Sequence, residues 1–273
     1  MIIKTLVENT AYSDKFGCEH GISLYIEANG KKILFDVGET DLFLKNAHSM
    51  NVDISQVEYL VISHGHRDHG GGLQDFLKNN SKAKIYLNSK AFEPHYAARP
   101  NNQMKDIGLD TSLENNPQVI KIEGDENIDS GISILTNVPE VYKKPISNNG
   151  LYEFIEGEYV RDKFEHEHNL IIEENDKSIL ILGCAHNGVM NILSHFETIK
   201  GKLPDYVIGG FHLSSRSSGN ETPETVDALA NYLLKTGVKY YTCHCTGLQA
   251  YDRLKAIMGD SIDYLSAGSE IEL

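Results

Sequence analysis

Apolar residues follow strand-like and helix-like spacings along the first third of the chain. "MIIKTLVE" and "HGISLYIEANGKKILFDVG" have strand patterns, and Asn29-Gly30 in the second segment is a strong hairpin signal. "VEYLVIS" is a continuous apolar run that predicts a buried strand. "TDLFLKNAHSMNV" and "GGLQDFLKNN" place their apolar residues on one face of a helix, and "AKIYLN" predicts a further strand. This part of the chain therefore predicts strands that alternate with helices.

The same alternation returns after residue 165. "NLIIEENDKSILILGC" predicts two strands joined by a turn, and "DYVIGG", "VKYYTCHC" and "IDYLSAG" predict three more. Helices are predicted at "GVMNILSHFETI", "TPETVDALANYLLKTG" and "GLQAYDRLKAIMG"; the second has Thr222 as its cap, Pro223 in its first turn and Gly237 at its end.

Between these regular parts, the pattern is mixed. Residues 91–165 are predicted to be a substrate-side insertion with the strands "QVIKIE", "GISILTNV" and "LYEFIEGEYV". We find no repeat or linker, so a single domain of residues 1–273 is predicted. Its fold class is α/β (α+β), with helices outside two sheets.

Composition narrows the range of partners. The net charge of −14 disfavours nucleic acid, which is normally bound by a basic surface. The apolar runs are too short to span a bilayer, and the amino terminus lacks the features of a signal peptide. We therefore expect a cytoplasmic protein with a small-molecule partner and no membrane association. The sequence leaves homo-oligomerisation open.

Three histidines and an aspartate follow the buried strand "VEYLVIS". His64 and His66 are two residues apart, so they project to the same side of an extended segment. Asp68 and His69 follow after a turn, and the glycines at 70–72 let the backbone bend closely around them. Imidazole and carboxylate groups are ligands for Zn²⁺, Mn²⁺ or Fe²⁺. The segment therefore predicts part of a metal site; the alternative is a histidine-rich surface turn.

Two later strand ends carry further candidate ligands. Cys184 and His186 follow "SILIL". Cys184 is either a thiolate that ligates or bridges metals or an ordinary buried cysteine that packs as a small apolar residue. In "TCHC", alternation along a strand directs His244 away from Cys243 and Cys245. We expect those two cysteines to fill the core and His244 to face the site.

The motif His64-x-His66-x-Asp68-His69, with "LFDVG" upstream, resembles the metallo-β-lactamase superfamily. The segments "GCAHNGVMNIL", "GGFHL" and "TCHCTG" resemble one branch of it, that of the 7,8-dihydropterin-6-methyl-4-(β-D-ribofuranosyl)aminobenzene-5′-phosphate synthase-like metal-dependent hydrolases. The resemblance extends over essentially the whole chain. It implies a four-layer αββα sandwich with two divalent metal ions at one edge between the sheets, either Zn²⁺ or, alternatively, Mn²⁺ or Fe²⁺.

The resemblance also implies a set of ligands for the first metal. His64 and His66 match two of its histidines. No "GHTPG"-like segment marks the third, so His186 is favoured by the branch motif, with His168 and His95 as alternatives.

For the second metal, the matching residues are Asp68, His69 and His244. Cys184 occupies the place where most of the superfamily has a bridging Asp. Asp68 is also the catalytic candidate, since it can orient the attacking water.

On the substrate side, the resemblance suggests His212, with Ser214, Ser215 and Arg216 on the loop beside it; the alternative is a plain solvated connection. The few basic residues that can meet an anionic substrate are Arg99, Lys105, Lys143 and Arg216. Tyrosines with a ring that can stack on a pterin are Tyr96, Tyr142 and Tyr152. Three histidines are expected to be structural or surface residues: His20, His48 and His195.

The function implied by the branch is condensation of a dihydropterin diphosphate with an aminobenzene ribofuranosyl phosphate. The first alternative is a metal-dependent hydrolase of a small phosphoester, cyclic nucleotide or lactone. The second alternative is a non-catalytic metal-binding sensor. In each case the expected ligand is small, and for the enzymes it is anionic.

Overall fold

The computed structural model describes residues 1–100 and 103–273. Its first sheet has seven strands: β20 (Glu270–Glu272), β1 (Ile2–Val7), β2 (Ser23–Ala28), β3 (Lys31–Phe35), β4 (Tyr59–Val61), β5 (Lys84–Asn88) and β8 (Val119–Ile122), in that order across the sheet. The strands from β20 to β3 pair antiparallel, and those from β3 to β8 pair parallel.

The second sheet also has seven strands. They are, from edge to edge, β19 (Ile262–Tyr264), β18 (Lys239–Thr242), β15 (Tyr206–Gly209), β14 (Lys177–Ile181), β13 (Asn169–Glu174), β10 (Ile132–Leu135) and β9 (Glu126–Asp129). The strands from β9 to β14 pair antiparallel, whereas β14, β15, β18 and β19 pair parallel.

Helices cover the outer faces of both sheets. The α-helices are α1 (Leu42–Ser49), α2 (Arg67–Gly70), α3 (Leu73–Asn79), α4 (Val189–Lys200), α5 (Pro223–Lys235) and α6 (Leu248–Met258). Short 3₁₀ turns occur at Ile54–Gln56, Thr111–Leu113, Ile146–Gly150, His244–Thr246 and Gly259–Ser261.

Three apolar cores separate these layers. Ile26 of the first sheet and Ile172 of the second belong to the core between the sheets. Phe43 of α1 and Phe76 of α3 belong to the core outside the first sheet, and Phe196 of α4 belongs to the one outside the second. The molecule is thus a four-layer αββα sandwich, and the predicted fold class is confirmed.

Local signals in the sequence account for several of these boundaries. Asn29 and Gly30 both have positive φ (52° and 69°), as a two-residue hairpin loop between β2 and β3 requires. Thr222 accepts a hydrogen bond from the Thr225 N–H at the start of α5, and Pro223 occupies its first turn. The predicted strand "VKYYTCHC" ends at Thr242, where the chain enters a 3₁₀ turn.

The region predicted as an insertion contributes to three sheets. Strands β8, β9 and β10 complete the two main sheets. A separate sheet contains β12 (Glu158–Arg161), β11 (Leu151–Ile155), β6 (His95–Arg99) and β7 (Gln103–Asp106). Residues 101 and 102 of the region lie outside the described residues. Within those described, no helix has the length and apolar character needed to cross a membrane.

Candidate metal centre

Loops after four strands meet at one edge of the sandwich. The loop after β4 carries residues 64–69, while Cys184 and His186 follow β14. His212 follows β15 and His244 follows β18. The strands β14, β15 and β18 are parallel neighbours, so their carboxyl ends deliver these side chains to the same edge of the second sheet.

The first cluster consists of His64, His66 and His186, whose nearest ring nitrogens all lie within 4.8 Å of one another. His64 Nε2 is 3.0 Å from His66 Nδ1, and all three side chains are buried. The turn that presents His186 contains Ala185 at φ 55°, and its backbone is held by the Glu167 carboxylate, which accepts the His186 N–H (2.6 Å). Among the three candidates for the third position, His186 is the one in this cluster.

The two alternative histidines occupy other places. His95 groups with a separate set of side chains behind His66. His168 is buried, and its backbone N–H donates to the Ser63 carbonyl oxygen (2.8 Å). Among the described residues, neither of its ring nitrogens has a hydrogen-bond partner. Burial lowers the pKa of His168 to about 3, so its ring is neutral.

The second cluster brings together Asp68, His69, His244 and Cys184. Asp68 Oδ2 lies 3.8 Å from His69 Nε2 and 3.4 Å from His244 Nε2. Cys184 Sγ lies 3.2 Å from His69 Nε2, and it also groups with His64 and His69. Cys184 is therefore located between the two clusters, where a thiolate can contact either one.

Four of these histidines have one ring nitrogen fixed by a polar neighbour. The pairs are His64 Nδ1 with Ser63 Oγ (2.9 Å), His69 Nδ1 with Asp36 Oδ2 (2.7 Å), His186 Nδ1 with Asn148 Oδ1 (2.9 Å) and His244 Nδ1 with Asn9 Oδ1 (2.9 Å). The Nε2 atoms of His186 and His244 are buried without a hydrogen-bond partner among the described residues. Buried imidazoles oriented in this way fit a divalent metal, since metal-binding histidines are normally held through their other nitrogen.

The cysteines near His244 differ from the sequence-based expectation. Cys243 packs in the core between the sheets, as expected. Cys245 does not: its Sγ is 3.5 Å from the Cys184 carbonyl oxygen, and it groups with Cys184 and His244. The expectation assumed an extended strand, but the 3₁₀ turn His244–Thr246 breaks the alternation and brings Cys245 to the site.

In the second cluster, neighbouring charges shift the pKa values of Asp68 and His69 in opposite directions. Burial alone would raise the pKa of Asp68, but the adjacent His69 and His244 outweigh it and hold that pKa well below its usual range. For His69, burial lowers the pKa, while Asp36 and Asp68 raise it to about 9 overall. Asp68 is therefore ionised and available as a ligand, whereas His69 must release a proton before it can bind a metal.

His20 was expected to be a structural or surface residue, and this was wrong. Its Nε2 lies 3.3 Å from Asp68 Oδ2, and its ring packs 4.7 Å from that of His244. Burial, followed by the neighbouring His244, lowers the pKa of His20 to about 4. Nothing local in the sequence marks this role, because Asp68 is distant along the chain. By contrast, His48 is exposed, and the Nε2–H of His195 donates to the Thr136 carbonyl oxygen, away from the site.

The clusters open into a cleft of about 230 Å³. Four cationic side chains line it: Arg67, Arg99, Lys105 and Arg216. The predicted substrate residues His212, Ser214, Ser215 and Arg216 also line it, whereas Lys143 is absent from its described lining. Within the part of the chain that the structure describes, both buried ring nitrogens of His212 lack hydrogen-bond partners, so they are available to a bound molecule.

The three tyrosines proposed to stack on a pterin are engaged elsewhere. Tyr96 packs against Phe154 and Tyr159, with ring centroids 6.1 and 5.0 Å away. Tyr142 packs on the ring of Tyr232. The Arg161 guanidinium lies over Tyr152, and its central carbon is 4.7 Å from the centroid of the Tyr152 ring. None of the three lines the cleft as described, so this expectation was wrong.

The profile of the Metallo-beta-lactamase superfamily matches residues 17–188. The chain belongs to the metallo-beta-lactamase superfamily. It is 30% identical over 288 residues to 7,8-dihydropterin-6-methyl-4-(beta-D-ribofuranosyl)-aminobenzene-5′-phosphate synthase of Methanocaldococcus jannaschii. The matched region covers 99% of this chain and 96% of the relative. An uncharacterized protein of the same archaeon, MJ0448, is 31% identical over 264 residues, or 94% of each chain. The predicted resemblance to this branch of the superfamily is confirmed.

Two solved structures agree with the fold. Tm1679, described as a metal-dependent hydrolase of the beta-lactamase superfamily, superposes with a TM-score of 0.83 at 28% identity and covers 100% of this chain and 99% of its own. Zn(2+)-bound PqqB from Methylobacterium extorquens superposes with a TM-score of 0.60 at 12% identity, with full coverage of both chains, and supports the fold alone. The metal-dependent relatives and the buried histidine clusters together support an enzyme that binds divalent metal.

Proposed function

We propose that this protein is a dinuclear metal-dependent enzyme that acts on a small phosphorylated substrate. The observation that carries the proposal is the pair of adjacent ligand clusters, with Cys184 between them, at the floor of a cleft lined by four cationic side chains. Three carboxylates also line the cleft, namely Glu39, Asp68 and Asp106. In a chain with a net charge of −14, four cations against three carboxylates is a locally positive balance, which favours an anionic substrate.

His64, His66 and His186 would hold the first cation. Asp68, His69 and His244 would hold the second, with the Cys184 thiolate shared or bound to one of them. Imidazole and thiolate ligands favour zinc, whereas manganese or iron also suits the imidazole and carboxylate groups. When bound, two such cations lower the pKa of a water molecule and polarise a phosphoryl oxygen.

The rest of the chemistry belongs to side chains of the cleft. Arg99, Lys105 and Arg216 would bind phosphate oxygens, because guanidinium and ammonium groups form charge-assisted hydrogen bonds with them. His212, with both nitrogens free, would hold or deliver a proton at the reacting centre. Burial of the ligand clusters below the cleft would exclude bulk water.

The specific reaction we propose is the one named for the relative from Methanocaldococcus jannaschii. A bond forms between the pterin methylene carbon and the nitrogen of the aminobenzene partner. The C–O bond to diphosphate breaks, the nitrogen loses a proton, and diphosphate leaves with the electron pair of that bond. The cationic rim suits this reaction because both substrates carry phosphate groups.

Diphosphate release from a dihydropterin diphosphate, measured with and without the aminobenzene ribofuranosyl phosphate, tests this reaction. We expect release only when both substrates and the metal-loaded protein are present. His186→Ala should abolish release, whereas His195→Ala, outside the site, should retain it. Equal release without the amine would contradict condensation and favour hydrolysis.

Hydrolysis of a small phosphoester is the second candidate. It is favoured by Tm1679, which is described as a metal-dependent hydrolase and matches this chain over its full length. Bis(p-nitrophenyl) phosphate is a suitable probe, because its cleavage needs activated water and no second substrate. Absence of turnover in both assays by a protein that binds two cations would instead favour a metal-binding sensor.

A further inference from the structure

A group of buried side chains lies behind His66, on the side away from the first cluster. We call His66, His95, Asp162 and His166 the Asp162 cluster. One atom from each lies within 4.8 Å of those from the other three. The side chains of His95, Asp162 and His166 are fully buried. His66 lines the cleft, whereas the other three residues are absent from its described lining and lie beneath its floor.

Hydrogen bonds define the proton positions in this cluster. The Gly65 N–H donates to His166 Nδ1 (3.0 Å), so the neutral ring carries its proton on Nε2. His166 Nε2–H therefore donates to Asp162 Oδ2 (3.1 Å). The other carboxylate oxygen accepts the Phe164 N–H (2.6 Å). Asp162 is thus fixed through both of its oxygens.

The remaining two histidines face the same carboxylate oxygen without a hydrogen bond. His95 Nδ1 is 3.4 Å and His66 Nε2 is 4.0 Å from Asp162 Oδ2. Both nitrogens are buried, and neither has a partner among the described residues. His66 Nδ1, on the opposite side of its ring, is the atom that faces His64. His66 thus connects the first cluster to Asp162.

The charges of the two regions are complementary. Within salt-bridge distance in the described chain, Asp162 has the three histidines and no Lys or Arg. A buried carboxylate without a cation nearby is costly. The first cluster has the opposite imbalance, because its three ligands are neutral imidazoles, whereas the second contains the Asp68 carboxylate. A cation bound to His66 would compensate the buried negative charge of Asp162, and Asp162 would in turn compensate the positive charge of the cation in the first cluster.

We propose that Asp162 is a positioning residue for the first cation. It receives the Nε2–H of His66, which leaves Nδ1 of that ring for the cation, and it supplies the buried negative charge that the first cluster lacks. The inference rests on the proposed two-cation site. A third cation inside the Asp162 cluster is disfavoured, because His166 already uses Nδ1 as an acceptor and Nε2 as a donor.

The test is zinc binding by Asp162→Asn, measured in competition with a chromophoric chelator. The amide keeps the shape and an acceptor oxygen but removes the charge. We expect one of the two zinc-binding steps to weaken about 10- to 100-fold and the other to stay unchanged. Asp205→Asn is the matched control, since Asp205 also accepts two hydrogen bonds, from Ser178, away from the site. It should leave both steps unchanged.

Two zinc-binding steps unaltered in Asp162→Asn would overturn the inference while leaving the proposed function intact. Absence of zinc binding by the unmodified protein would overturn both. Three equivalents in the unmodified protein, reduced to two by Asp162→Asn, would place a cation in the Asp162 cluster and also overturn the inference.

If Asp162→Asn does not fold, the unmodified protein provides the answer. Loaded with ¹¹³Cd and labelled with ¹⁵N-histidine, it reports by NMR which ring nitrogen of His66 binds the cation and which carries the proton. We expect cadmium coupling at Nδ1 and a slowly exchanging proton on Nε2. Coupling at Nε2, or loss of that proton, would refute the role of Asp162.

Discussion

His186 and His168 are both buried histidines near the same strand ends, but their surroundings differ. Among residues 1–100 and 103–273, His186 has Nδ1 fixed by Asn148 and Nε2 unpaired beside His64 and His66, whereas the ring of His168 has no partner at either nitrogen. The hydrogen bond that fixes one nitrogen makes His186 the better ligand.

This difference leads to a prediction for the metal content. His186→Ala should lower bound zinc from two equivalents to one and reduce turnover by about 100-fold or more. His168→Gln should retain two equivalents. Elemental mass spectrometry of the purified variants measures both. A loss of zinc from His168→Gln, with full zinc in His186→Ala, would reverse the assignment.

Glu153 gives a prediction about pH. Burial, followed by the charge of Asp162, raises the pKa of Glu153 from 4.5 to about 7. Because the raised pKa belongs to the folded state, the proton stabilises the fold fully below about pH 4.5, and this contribution is lost as the pH rises through about 7. After a discount for solvent screening of this carboxyl, Glu153→Gln should therefore increase the free energy of unfolding at pH 8 by about 1 kcal/mol and change it little at pH 4.5. Urea unfolding of both proteins at the two pH values measures the change in the free energy of unfolding. An equal change at both pH values would contradict a raised pKa for Glu153 in the folded state.

At the scale of elements, the end of β15 depends on a glycine. Gly209 has φ 137°, and a Cβ there would overlap the carbonyl group of Leu182 in the loop after β14. The two backbones are close because β14 and β15 pair as parallel neighbours, and the chain continues from both strands into the metal centre. Gly209→Ala should lower the free energy of unfolding by about 2–4 kcal/mol.

Gly124→Ala is the matched control, since a Cβ at Gly124 has open space around it and φ is not positive. Denaturant unfolding should show little change for this variant. If Gly209→Ala were as stable as the control, the close packing of the two loops would not be required for folding.

Elements whose signals are local were predictable from the sequence. Asn29-Gly30 gave the β2–β3 hairpin, and Thr222 with Pro223 gave the start of α5, because a turn or cap depends on a few adjacent residues. The motif from His64 to His69 was recognisable for the same reason.

Contacts between distant segments were not predictable in this way. Cys245 reaches the site only because β18 stops at Thr242, and alternation could not indicate that stop. His20 and Asp162 belong to no recognisable sequence motif, and they gain a role only when the fold brings them to Asp68 and His66. Asn9 and Asn148 fix one ring nitrogen each of His244 and His186, and no local sequence pattern indicates this role either.

At the scale of the whole molecule, cations should contribute to stability. Several buried imidazole nitrogens at the site have no partner in the described protein, so metal binding offsets a cost that the metal-free fold carries. A cation at about 1,000 times its Kd stabilises the folded state by about 4 kcal/mol. Chelation should therefore lower the Tm by several degrees.

Differential scanning calorimetry before and after chelation measures this change, and added zinc should restore the original Tm. Calcium is the control, because it prefers oxygen ligands and should not restore it. A Tm that is insensitive to chelation and to zinc would contradict a structural contribution from the site.

The two ligand clusters each combine residues from both sheets. His64 to His69 are synthesised first, Cys184 and His186 much later, and His244 later still. During translation, the segment made first therefore holds only fragments of either site, which bind a cation weakly. Metal selection is then a late step, made once His244 has joined the other ligands. The supply of free cations at that moment, rather than earlier in synthesis, would determine which metal the enzyme carries.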